Sequence, residues 1–101
     1  MKILCDLDGT IILHKTIPTR AKWWKDKPKK NALTALWKLT ENNEIVIFTS
    51  RTEDEWPTIN DWLYRYGFPL FRITNIKEKA DIYIDDRAVR FTNWLDLSKL
   101  W

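Results

Sequence analysis

Apolar positions along this chain follow two rhythms. Short unbroken runs occur at Ile3-Leu4-Cys5 and at "IVIF" (45–48), and elsewhere apolar residues recur every three or four positions. Unbroken runs suit strands covered on both faces, and the longer spacing suits helices packed along one stripe. Lys2 to Asp6 therefore reads as a first strand, "IVIFTS" (45–50) as a second, "LFRI" (70–73) as a third and "DIYI" (81–84) as a fourth. Between the first two strands a helix is predicted, with Asp26 as N-cap and Pro28 in its first turn. Its apolar stripe is Ala32, Leu33, Leu36, Trp37 and Leu39,. It should end at "ENNE", where Asn42 or Asn43 can take a left-handed cap,. A second helix is predicted over 53–66, with Pro57 in its first turn. Its face is Trp56, Ile59, Trp62, Leu63 and Tyr66, broken by Asn60, and Gly67 is its stop,. A short last helix is expected over 93–100, capped by Thr92 or Asn93. Residues 10–27 show no clear period and read as a long loop or a small hairpin. This order predicts an α/β domain with a mostly parallel sheet. There is no internal repeat and no low-complexity segment.

Length narrows the picture to a single domain over 1–101,. A hydrophobic content of 45% is enough for a packed core,. No apolar run approaches the ~18–20 residues of a membrane span, so no membrane partner is expected. Asp6 interrupts the N-terminal apolar run after three residues, unlike a signal peptide,. One cysteine permits no internal disulfide, so a reducing cytoplasm is the expected compartment,. The net charge of +3 is uneven. Residues 15–30 hold seven Lys/Arg and one acid, and the remaining chain has ten basic and thirteen acidic residues. The basic block suits an anionic partner or simply a solvated loop.

Candidate chemistry gathers at the strand ends. Asp6 and Asp8 close the first strand, Thr49, Ser50 and Arg51 the second, and Asp85 and Asp86 the fourth, with Lys77 and Lys79 just before it. In open parallel sheets ligands bind beyond the carboxyl ends of the strands. Clustered carboxylates repel one another unless a cation intervenes, and an oxygen-only ligand set without His or Cys favours a hard ion such as Mg²⁺. An ionised aspartate can attack phosphorus, and a second carboxylate can move protons. Cys5 alternates away from Asp6 and reads as a core thiol,.

"ILCDLDGT", "IVIFTS", a lysine before the last site strand, and "IYIDD" together resemble, in order, the four signatures of the haloacid dehalogenase-like phosphatase superfamily. The resemblance implies a Rossmann-like three-layer sandwich and a magnesium-dependent phosphatase working through an aspartyl-phosphate. It makes Asp6 the nucleophile and a magnesium ligand. Asp8 would be the general acid/base, binding magnesium through its backbone carbonyl. Thr49 would bond the phosphoryl group, and Lys77, with Lys79 as the fallback, would neutralise it. Asp85 and Asp86 would hold magnesium directly or through water. Gly9 and Thr10, which complete the first motif, and Ser50 and Arg51 are the candidate substrate contacts. An aspartate rather than threonine at position 8 suggests hydrolysis or phosphotransfer rather than a pump intermediate.

Many relatives of that type insert a cap domain after the first or third strand. Here only about 20 residues separate Thr10 from the first helix, room for a flap (10–27) and no folded cap,. The expected substrate is a phosphorylated small molecule, and an open site also suits a larger one or oligomerisation that covers it. Trp23 and Trp24 lie inside the basic block. They either pack the flap against the domain or stack on bases of a nucleotide or nucleic-acid end. Trp37 and Trp62 are expected in the core, and Trp94 and Trp101 pin the C-terminal segment or supply an interface. Two other function classes share parts of this pattern. A non-catalytic phosphate-binding module would not need Asp8. A response-regulator receiver needs an aspartate ending a middle strand, which "IVIFTS" and "LFRI" lack.

Overall fold

The computed structural model describes residues 1–13 and 22–100. His14, the part of the basic block before Lys22, and Trp101 lie outside the described residues. Four strands form one sheet: β1 (Lys2–Asp6), β2 (Glu44–Phe48), β3 (Arg72–Thr74) and β4 (Ile82–Ile84), in the order β3-β2-β1-β4. Every pairing is parallel. Two α-helices, α1 (Ala32–Thr40) and α2 (Trp56–Arg65), connect β1 to β2 and β2 to β3.

Strand alternation assigns the two faces. Ile3, Cys5, Ile45, Ile47 and Ile73 share one core with Leu36 of α1 and Ile59, Trp62 and Leu63 of α2. On the opposite face Leu4 and Val46 are also buried, which explains the unbroken apolar runs. Among the described residues no α-helix covers that face. The chain leaves β3 at one edge and must reach β4 at the other, so residues 75–81 cross it. Glu78 fixes this link by accepting hydrogen bonds from Arg72 (2.7 Å to each oxygen) and from Lys2 Nζ (2.8 Å). Those bonds hold the Glu78 carboxyl down at about 2.

After β1 the chain turns tightly. The Leu7 carbonyl accepts from the N–H groups of Ile11 and Ile12, and Ile11 and Leu13 then pair with Lys29 and Lys27. Of the two sequence expectations for 10–27, the base is thus a hairpin. Residues 22–25 form a 3-10 turn that inserts Trp23 into the core beside Trp62. The Trp62 Nε1–H donates to the Asp26 carbonyl at 3.0 Å, tying flap to α2.

This pairing corrects the start of α1. Residues 27–29 are committed to the hairpin, and Pro28 bridges Ile12 rather than opening a helix. The N-cap is Asn31, not Asp26, and it takes a left-handed conformation (φ 69°) that asparagine tolerates,. The other end differs too. Neither Asn42 nor Asn43 has positive φ; Asn43 Nδ2 instead donates to the Leu39 carbonyl. Trp37 is not in the core. It is 48% exposed and donates its Nε1–H to the Gly67 carbonyl. α2 keeps Pro57 near its start and Gly67 (φ 81°) beyond its end, but it begins at Trp56 rather than at residue 53, because Glu53–Glu55 form a 3-10 turn. β3 begins two residues later than expected, because Val46 pairs with Arg72 while Leu70 is left exposed. The last segment, Leu95–Leu100, is 3-10 rather than α-helical, and Asn93 Oδ1 caps the Asp96 N–H. Trp94 packs edge-on against Phe91 and stays exposed. No described helix is long and apolar enough to cross a membrane.

Candidate active site at the carboxyl ends of the strands

The strand order creates the site. From β1 the chain steps outward to β2 and β3, then returns to place β4 on the other side of β1. A crevice opens where that direction reverses, at the carboxyl ends of β1 and β4. Cys5 pairs with Ile84, so Asp6 and Asp85 emerge side by side although 79 positions apart. Asp6, Asp85 and Asp86 each contribute a carboxylate oxygen to a cluster spanning at most 4.8 Å.

Thr10 stitches this cluster together. Its hydroxyl lies 3.3 Å from Asp6 Oδ2 and 3.4 Å from Asp86 Oδ1, and accepts the Asp86 N–H at 3.1 Å. Gly9 makes room for it. Its φ is +82°, and a Cβ there would lie 2.5 Å from Asp86 Oδ2. Gly9→Ala is therefore expected to push Asp86 aside and to cost about 1–2 kcal/mol from the left-handed backbone alone. Chemical denaturation would read that loss.

Burial first, and then the negative charges of Asp85 and Asp86, together push the Asp6 carboxyl up to about 6. The Thr10 hydroxyl opposes this, and Asp8 adds the smallest repulsion. Such a site gains from a hard cation, and its donors are all oxygen. Cys5 is buried, and its thiol is pushed up to about 12, chiefly by burial. It is an inert core thiol.

The other expected residues fall into distinct places. Thr49 is buried at the end of β2. Its N–H donates to the Thr74 carbonyl, and its hydroxyl accepts the Arg51 N–H at 3.1 Å. Lys77, from the 75–81 link, lines a cleft of about 110 Å³ together with Asp6, Asp85, Phe48, Tyr83 and Ala88. Lys79 is exposed and is not among its lining residues. Ser50 is exposed, and the Gly9 N–H is taken by the Ile12 carbonyl. Asp8 lies outside the carboxylate cluster. Arg51 Nη2 donates to Asp8 Oδ1 at 2.9 Å and Arg51 Nε to Asp8 Oδ2 at 3.2 Å.

Two participants escaped the sequence reading. Tyr83 lies under the Lys77 ammonium (5.3 Å to the ring centre), and its hydroxyl donates to the Glu78 carbonyl. Strand alternation from Asp85 could have found it. Glu55 accepts from Arg51 Nη1 at 3.0 Å, and its i,i+4 spacing from Arg51 was the available signal. No protein-family model, curated protein or solved structure matches this chain.

Proposed function

We propose that this protein is a magnesium-dependent phosphomonoesterase of the haloacid dehalogenase-like type, with a Rossmann-like core and no cap domain. The observation that carries the reading is the meeting of Asp6 with Asp85 and Asp86 across the β1–β4 crevice, with Lys77 lining the same cleft. The donor set fits a magnesium ion. Three clustered carboxylates provide oxygen ligands, and burial followed by the charges of Asp85 and Asp86 disfavours an ionised Asp6 in the absence of a cation,. Asp6, Asp85 and Asp86 would hold the ion, with the Asp8 carbonyl as a further ligand. When bound, it supplies neutralisation of charge at the phosphoryl oxygens.

The chain's own residues divide the remaining work. An Asp6 carboxylate oxygen attacks phosphorus as the bond to the leaving oxygen breaks. The Asp8 carboxylic acid gives that oxygen its proton, releasing an alcohol and leaving Asp8 ionised. Asp8 then takes a proton from water while the water oxygen attacks phosphorus. The bond to Asp6 breaks, phosphate departs, and both carboxyl groups regain their starting states. Thr49 and the Lys77 ammonium hold the phosphoryl group between these steps.

Hydrolysis of an aryl phosphate that requires Mg²⁺ and stops with EDTA is the expected result. A folded, magnesium-binding wild type with no turnover across a broad phosphomonoester panel would instead support a phosphate-binding module.

A second reading concerns the substrate. Trp23 is buried and cannot stack on a base, but Trp24 is 37% exposed. Lys22, Lys25, Lys27, Lys29 and Lys30 are exposed around it. This rim suits a nucleotide or nucleic-acid end. Tryptophan fluorescence on titration with a single-stranded oligonucleotide should change at low salt and recover at high salt; no change at low salt removes the idea.

A further inference from the structure

Arg51 follows the Thr49-Ser50 pair, where it was expected to meet a substrate phosphate. Its surroundings say otherwise. Three of its nitrogens are engaged: Nε and Nη2 fork the Asp8 carboxylate, and Nη1 reaches Glu55 at 3.0 Å. One face of the guanidinium lies over the Trp23 ring, 4.6 Å from its centre. The side chain is only 14% exposed. With all three nitrogens engaged and one face covered, the guanidinium offers little to an incoming phosphate. A bidentate fork does something else well, because it sets the plane of a carboxylate as well as its distance.

We propose that Arg51 is a positioning residue for proton transfer: it sets the plane of the Asp8 side chain towards the leaving oxygen, keeping one carboxyl oxygen and releasing the other when that oxygen carries the proton, braced by Glu55 and by Trp23 of the flap. This role rests on the phosphatase reading. Glu55 lies in the 3-10 turn that leads into α2, and Trp23 is locked against Trp62 of that helix. The orientation of Asp8 is thus referred to the rigid core rather than to the turn that follows β1. The flap bears on proton delivery through the same contact.

The leaving group separates this role from others. An alkyl phosphate needs its leaving oxygen protonated, whereas a nitrophenyl phosphate scarcely does. With Arg51→Ala, kcat/KM for the alkyl ester should fall about 100-fold, and for nitrophenyl phosphate less than about 5-fold. Arg51→Lys keeps a charge but has no fork, so it should retain the fold and show the same asymmetry. Glu55→Gln leaves the fork intact and should show a smaller version of it. In an Asp8→Asn background, Arg51→Ala should add no further loss on the alkyl ester. Equal losses on both substrates in Arg51→Lys would overturn the role, as would a rise in KM with kcat unchanged, which marks a phosphate contact. A wild type inert on both esters overturns the phosphatase reading and this role with it. An active wild type with symmetric losses overturns the role alone.

Discussion

Asp6→Asn should abolish phosphate-ester hydrolysis, by on the order of 10⁵-fold, yet raise the stability of the metal-free protein at neutral pH. The two effects share one cause. The carboxylate proposed as the nucleophile is also the one held close to Asp85 and Asp86. Its amide counterpart is a poor nucleophile but carries no charge, so the repulsion disappears. The folded-state value of about 6 lies above the ordinary 3.8, so the folded protein holds this proton more tightly than the unfolded chain does. The stability contributed by protonation is full below about pH 4 and is lost as pH rises through about 6. The full shift corresponds to at most ~3 kcal/mol, and solvent screening at this half-buried site brings it to the order of 1 kcal/mol. Thermal unfolding in EDTA at pH 5 and pH 7.5 checks the sign. The wild type should lose stability from this group between the two, and Asp6→Asn should not. Added Mg²⁺ should raise the wild-type midpoint at pH 7.5 and raise that of Asp6→Asn much less. A variant less stable than wild type in EDTA at pH 7.5 would show instead that the Thr10 bond to Asp6 outweighs the repulsion.

Trp62→Ala is expected to cost 3–5 kcal/mol, estimated from core aromatic truncations, against the ~5–15 kcal/mol that holds a typical domain together. Trp62 is fully buried and stacks on Phe68 with ring centres 5.9 Å apart. It also touches Trp23 and donates to the Asp26 carbonyl. Truncation therefore opens a cavity and releases the flap together. Trp62→Phe keeps much of the volume and loses chiefly the hydrogen bond, worth ~1 kcal/mol. Urea unfolding of the two variants checks the ranking, and a cost below ~1.5 kcal/mol for the alanine variant would contradict this account of the core.

Much of the architecture was legible because burial on both faces leaves a plain mark. "IVIFTS" and "ILC" could hardly be anything but central strands, and Val46 and Leu4 are indeed buried on the face away from the helices. The end of α2 was legible because Gly67 is a local signal of backbone geometry, whereas its start lies three residues later than expected, after the 3-10 turn Glu53–Glu55. α1 was misplaced for the opposite reason. Asp26 and Pro28 have the chemistry of a helix start, but Lys27 and Lys29 hydrogen-bond to Leu13 and Ile11. A non-local pairing took precedence over a local preference. Trp37 has the hydrophobicity of a core residue, yet nothing local says that α1 presents Leu36 to the sheet and turns Trp37 outward.

The acids divide in the same way. "CDLDGT" and "IYIDD" alone identified Asp6, Asp85 and Asp86 as strand-end carboxylates, since an apolar run that stops in aspartate has few other readings. Their meeting within 4.8 Å depends on the sheet order, which places β4 beside β1. The same holds for Arg51. Sequence puts it beside Thr49, and only the packing of the flap and the start of α2 surrounds it with Asp8, Glu55 and Trp23. Residue type and periodicity set which groups could carry chemistry, because they act through the nearest few positions of the chain. Partners were decided by tertiary structure, because a carboxylate's neighbour across a sheet or beneath a flap depends on strand order and packing, which local sequence does not encode.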